Sequence, residues 1–200
     1  MQSKHIRRLA ATALLAGLTG AAQAHTGHGV ATLSQGLAHP FGLDHLLAMV
    51  AVGVWSTAAL PQRKAWMGPA TFMAALVGAA MLGAQGLAMP FGEQAIALSV
   101  VLFGLLLVVS RQQMPAGAGL ALVAASASLH GLAHGAEAPV TGFATYAIGF
   151  MLTTAALHLS GVGIGLAVRR WLGERRQTAM AALGGGLGAA GLYLFGQLAA

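Results

Sequence analysis

The chain has 200 residues, of which 57% are hydrophobic and only 7% charged, and its mean hydropathy is +0.76. A soluble globular domain carries roughly 25% charged residues, so a water-soluble fold is excluded and the lipid bilayer is the expected solvent. The net charge of +6 does not indicate nucleic acid, because the basic residues stand in short clusters between apolar runs, and the absence of cysteine removes disulfides, thiolate metal ligands and Cys nucleophiles.

The first segment reads as an address. Lys4, Arg7 and Arg8 form a positive start, Leu9 to about Gly20 is a short apolar run, and Ala22-Gln23-Ala24 is an A-x-A cleavage site. That is the pattern of a signal peptide over residues 1–24; the alternative is an uncleaved seventh helix. Cleavage would leave His25 as a new N-terminus at the head of a periplasmic segment, residues 25–39.

A hydrocarbon core takes about 20 apolar residues per helix. Residues 40–200 divide accordingly into six spans: Pro40 to Leu60, Ala65 to Leu87, Glu93 to Ser110, Ala116 to Gly135, Gly142 to Val168, and Ala179 to Ala199. Pro61, Pro90, Pro115 and Pro139 punctuate the turns, where a residue without an N–H must leave the helix. The expected fold is therefore all-α, a polytopic membrane protein with six transmembrane helices after a cleaved signal peptide. Arg63 and Lys64, Arg111, and Arg169, Arg170, Arg175 and Arg176 follow spans one, three and five. All lie on one side, which the positive-inside rule makes cytoplasmic. The mature N- and C-termini are then periplasmic, in the inner membrane. The 29 glycines suit close helix packing, and self-association into a homo-oligomer is left open. A short echo is also visible, Gly36 to Gly42 recurring as Gly86 to Gly92 with Met89 in the place of His39.

Ionisable side chains inside a membrane are costly and mark sites or pathways. One group is His39, Asp44 and His45 at the start of span one, where Pro40 and Gly42 allow an irregular backbone. A second is His130, His134 and Glu137 at i, i+4 and i+7 in span four, a spacing that shares one helical face. Imidazole with carboxylate suits a borderline divalent cation such as Ni²⁺, Co²⁺ or Zn²⁺. A looser set comprises Glu93 near the same membrane level and His158 near the middle of span five. His158 reads either as a pathway ligand or as a satisfied polar contact. His25 and His28 form a candidate capture site for metal, or else a polar leader.

At these residues the sequence resembles the HupE/UreJ family of bacterial nickel permeases. His39-Pro40 with Asp44-His45 is similar to the family's H-P-x-x-x-D-H signature, and His130-Gly131, Ala133-His134 and Glu137 to its H-G-x-A-H-x-x-E signature. Leu129 replaces the Phe often found before the latter, and the stretch from Tyr146 to Gly161 is also similar. The resemblance implies uptake of Ni²⁺ as the transported ion, with no permanently bound cofactor, and an indirect link to hydrogenase or urease maturation. The ligand chemistry alone leaves Co²⁺ and Zn²⁺ open.

Other classes are weaker. A metalloprotease of the H-E-x-x-H type needs a Glu after His130, where Gly131 stands. A haem-binding electron carrier would use His130, His134 or His158 as axial ligands. A non-transporting assembly factor for a metalloenzyme would bind metal without flux. Because imidazole must be unprotonated to bind metal, uptake is expected to fall below about pH 6, near the reference histidine value.

Overall fold

A computed structural model describes residues 31–111, 114–139 and 141–199. The signal-peptide segment, His25 and His28 lie outside these residues. The described chain is all-helical. Its seven α-helices are α1 (Leu33–Ala38), α2 (Leu43–Ala59), α3 (Met67–Ala84), α4 (Gly92–Val108), α5 (Ala116–Ala136), α6 (Phe143–Leu172) and α7 (Arg176–Ala199).

Three helical stretches are long and apolar enough to cross a membrane: Gln62–Ala84, Ala116–Ala136 and Phe143–Ala199. The bent pair Leu33–Phe41 and Leu43–Ala59 makes a fourth if counted as one broken span, and Gly92–Val108 is a shorter apolar helix. The third stretch breaks at Gly173, whose φ is +47°. At 1.5 Å per residue the 30 residues of α6 extend about 45 Å, longer than a hydrocarbon core.

The exterior is apolar. Met81, Leu105, Ile148, Leu152, Leu159 and Leu192 are among the exposed side chains, whereas His45, His130, Thr154 and His158 are buried. That inversion suits a hydrocarbon surround, which accepts aliphatic side chains and drives polar ones into the bundle.

Chain neighbours do not make the closest pairs. Helix α3 lies along α5, α4 along α7, and α2 along α6. Glycines permit each approach. A Cβ at Gly53 or Gly161 would overlap the backbone of the other helix in the α2–α6 pair; Gly131 and Gly135 stand in the same relation to Leu76 and Ala80 of α3, and Gly104 and Gly184 to each other. In lipid there is little hydrophobic force between helices, so contact at small residues holds such pairs together.

The sequence reading places no helix before Pro40, yet α1 forms there. Thr32 caps it in a reciprocal box with Gln35, which satisfies amides that a helix start leaves open. The helix is pinned to α6: the Thr153 hydroxyl donates to the Leu37 carbonyl at 2.9 Å, the Ala31 amide donates to Thr141 O at 3.1 Å, and Gly36 and Gly149 let the two backbones touch. His39–Phe41 continue as one 3₁₀ turn. Gly42 then adopts an extended ψ of 138°, and α2 departs at 73° to the preceding segment.

Candidate metal centre

The bend creates the site. Gly42 offers α2 no side-chain cap, so the amides of its first turn need other acceptors. Asp44 supplies one: its Oδ1 accepts from the His45 backbone N–H at 2.7 Å, and its negative charge suits a helix N-terminus. The same oxygen lies 2.7 Å from His45 Nδ1. Since the carboxylate accepts, His45 Nδ1 carries the proton and Nε2 holds the lone pair. This is the arrangement in which a carboxylate orients a metal-binding imidazole.

His45 Nε2 stands 2.5 Å from Nε2 of His134, which reaches across from α5. His39 completes a trio, its ring 4.8 Å from that of His134 and 5.6 Å from that of His45 between centroids. One ring nitrogen from each of His39, His45 and His134 lies within 4.8 Å of the other two. A zinc-sized ion sits about 2.0–2.1 Å from each imidazole nitrogen, which puts two ligands at right angles about 3 Å apart. The trio is therefore of the right scale for a single divalent cation, with a slight parting of His45 and His134. His39 Nδ1 meets the Tyr146 hydroxyl at 2.8 Å, a contact that orients the ring beside the cluster.

His130 lies one turn below His134 and belongs to a deeper level. It is completely buried, its Nε2 is 2.9 Å from Ser99 Oγ of α4, and its ring is 5.1 Å from that of His45. His158 is likewise completely buried, with Nδ1 2.8 Å from the carbonyl of Thr154. Glu137 closes the helix that carries His130 and His134, its amide still donating to the Ala133 carbonyl at 3.2 Å. The helix ends at Ala136, and Glu137 is its exposed C-cap with φ −96° and ψ 6°. Glu93 lies in the first turn of α4, half-buried, and like Glu137 it stands outside the three-histidine cluster. Tyr146 and Ser99, which orient His39 and His130, have no local signal in the sequence; Tyr146 is 107 residues from its partner.

A family profile described as HupE / UreJ protein matches residues 13–194. Protein HupE of Rhizobium leguminosarum bv. viciae is 42% identical over 176 residues, covering 86% of this chain and 89% of that protein. No solved structure matches the chain. With the profile spanning nearly the whole sequence and a relative this similar, the chain belongs to the HupE/UreJ family, a nickel/cobalt transporter family and not a family of enzymes.

Proposed function

We propose that the protein is an uptake permease of the bacterial inner membrane, carrying a transition-metal ion, Ni²⁺ foremost, from periplasm to cytoplasm for hydrogenase or urease maturation. The observation that carries this reading is the convergence of His39, His45 and His134, from the bend and from two helices, on one point. Side chains brought together at that cost inside an apolar bundle suit an ion that exchanges water for nitrogen.

In this reading six spans cross the bilayer: the bent α1–α2 pair and α3 to α7. Residues 1–24 are removed as a signal peptide, and His25 and His28 on the periplasmic segment 25–39 gather metal. The His39 end faces the periplasm. The basic turns face the cytoplasm, and Trp66 and Trp171, strongly exposed beside Lys64 and Arg170, suit the interfacial belt on that side. Glu93 and Glu137 attract the hydrated cation. The trio then replaces part of its water shell, while Asp44 and Tyr146 hold His45 and His39 in register. His130 and His158 continue inward. Binding must be firm enough to strip water yet weak enough to release the ion. The sequence has no Walker motif, so no ATPase is built into the chain, and both a channel-like and a proton-coupled route suit it.

The test is metal flux into liposomes that hold the purified full chain and enclose a metal-sensing dye, comparing Ni²⁺, Co²⁺ and Zn²⁺. Flux of Ni²⁺ that is lost in His134→Ala supports the proposal. Metal binding without flux would instead identify a non-transporting assembly factor, and a preference for Co²⁺ or Zn²⁺ would reassign the cargo.

A further inference from the structure

Below the outer trio, two buried imidazoles share one aromatic ring. The Phe72 ring of α3, itself completely buried, lies 5.5 Å from His130 and 4.8 Å from His158 between centroids. Each histidine keeps one buried nitrogen without a hydrogen-bond partner, Nδ1 in His130 and Nε2 in His158.

The hydrogen bonds decide what those two nitrogens are. Ser99 has one hydroxyl hydrogen, and it donates to the Ile96 carbonyl at 2.7 Å. Its oxygen must therefore accept from His130 Nε2. In the uncharged ring that places the proton on Nε2 and a bare lone pair on Nδ1. At His158 the Thr154 carbonyl only accepts, so Nδ1 donates to it and Nε2 carries the lone pair. Neither orphan is a donor left unmatched. With the Ser99 hydroxyl donating to Ile96 and the Thr154 carbonyl accepting, both are electron-pair donors. A buried polar atom without a partner is costly, and here two occur against one ring. Thr154 Oγ1, a further buried and unpartnered oxygen, lies one turn before His158. A divalent cation arriving from the trio takes lone pairs from nitrogen and oxygen and so suits these three atoms.

We propose that His130 and His158 form an inner relay for a divalent cation, distinct from the outer trio, and that the Phe72 ring shared by both is the barrier the ion displaces between them. This rests on the permease reading above and adds a second station and a gate to it. The His45 ring, 5.1 Å from His130, is the point of transfer from the trio. Phe72 closes the path to water and small cations when no metal is in transit, as apolar constrictions do. Sequential sites of this kind let an ion be held without being trapped.

The experiment uses the full chain in two preparations. Ni²⁺ binding to the outer trio is measured by titration calorimetry in detergent, and the initial rate of Ni²⁺ uptake is measured in dye-loaded liposomes. His158→Ala should leave outer binding intact and lower the rate by about tenfold to a hundredfold, the scale of losing one supporting group at a metal site. Phe72→Ala should raise the rate several-fold and admit protons, and Phe72→Trp should lower it. Phe72→Leu, which keeps an apolar filling, covers the case in which Phe72→Ala loses outer binding through misfolding, and should fall between the unmodified chain and Phe72→Ala. An unchanged rate in His158→Ala overturns the relay. Unchanged rates in both Phe72→Trp and Phe72→Leu overturn the barrier. No flux through the unmodified chain, with outer binding intact, overturns the permease reading and the relay with it.

Discussion

At the His39 end the chain breaks a helix to turn polar side chains toward one point, whereas the interior below it is filled by Trp55, Phe72 and Phe103, all fully buried. The bend of 73° aims His39 from one segment and Asp44 and His45 from the next. Toward the other end α2 stays regular, and its Thr57 carbonyl is tied to Arg169 of α6 by a bond of 3.0 Å, a cation placed where a helix end favours one. The contrast separates two tasks. Ligands that replace water belong where the backbone is irregular and the site is reached from outside. Apolar packing belongs where the ion must be kept from passing freely. Affinity should therefore respond to changes at the bend and rate to changes in the packed half.

The sharpest way to break that division is to remove a ligand from the trio. His45→Ala and His134→Ala should each weaken Ni²⁺ binding by more than about a hundredfold, beyond the range for groups that only support a ligand. Calorimetry measures it directly. A variant that kept its affinity and lost only maximal rate would move the binding step into the interior. Asp44→Asn comes next. It retains an acceptor for the His45 amide but loses the charge that holds the His45 tautomer, so affinity should drop about tenfold to a hundredfold. Acid should act through the same lone pairs. Protons and metal compete for them, so uptake that is full at neutral pH should decline as pH falls below about 6. A rate that falls with acid while Ni²⁺ affinity stays constant would place the titrating groups outside the trio.

Tyr146→Phe should have a smaller effect, raising the Ni²⁺ concentration for half-maximal uptake by about tenfold or less, with maximal rate retained. His39 keeps its place through the 3₁₀ turn and loses only the hydroxyl that orients its ring. A pure packing role for Tyr146 would leave that concentration unmoved. A change in maximal rate alone would detach His39 from binding.

The sequence exposes the long elements because their apolar runs and bounding prolines are local properties. The span expected over Ala116 to Gly135 is α5 at Ala116–Ala136, and that expected from Gly142 becomes α6 from Phe143. Helix α1 escapes because it has only six residues, too few to hold without partners; its stability comes from α6, more than a hundred residues away. The two histidine motifs are legible as ligand chemistry. Their meeting is not, since no spacing rule relates His45 to His134 across helices. The echo of Gly36–Gly42 in Gly86–Gly92 also divides in space. Phe41 lies in a 3₁₀ turn, whereas Phe91 takes a left-handed φ of +63° and precedes α4 directly.

Glu137 gives the finest test of the boundary between attraction and ligation. The i+7 spacing aligns it with His130 and His134, and it stands as the C-cap of α5, exposed and outside the three-histidine cluster. A carboxylate at that end opposes the helix dipole, so the charge does not serve the helix. Its exposed position suits drawing cations toward the trio through solvent. Glu137→Gln should then reduce uptake by about fivefold or less at low ionic strength, the scale of an exposed charge. The deficit should close near 0.15 M salt, where screening acts within about 8 Å. Thermal stability should be equal or slightly higher, because an unfavourable end charge is gone. A larger loss that persists in salt would instead show that the last turn of α5 rearranges on metal binding and brings Glu137 to the ion. The outer site would then be assembled by its cargo, and the affinity lost in Glu137→Gln would approach that lost in His134→Ala.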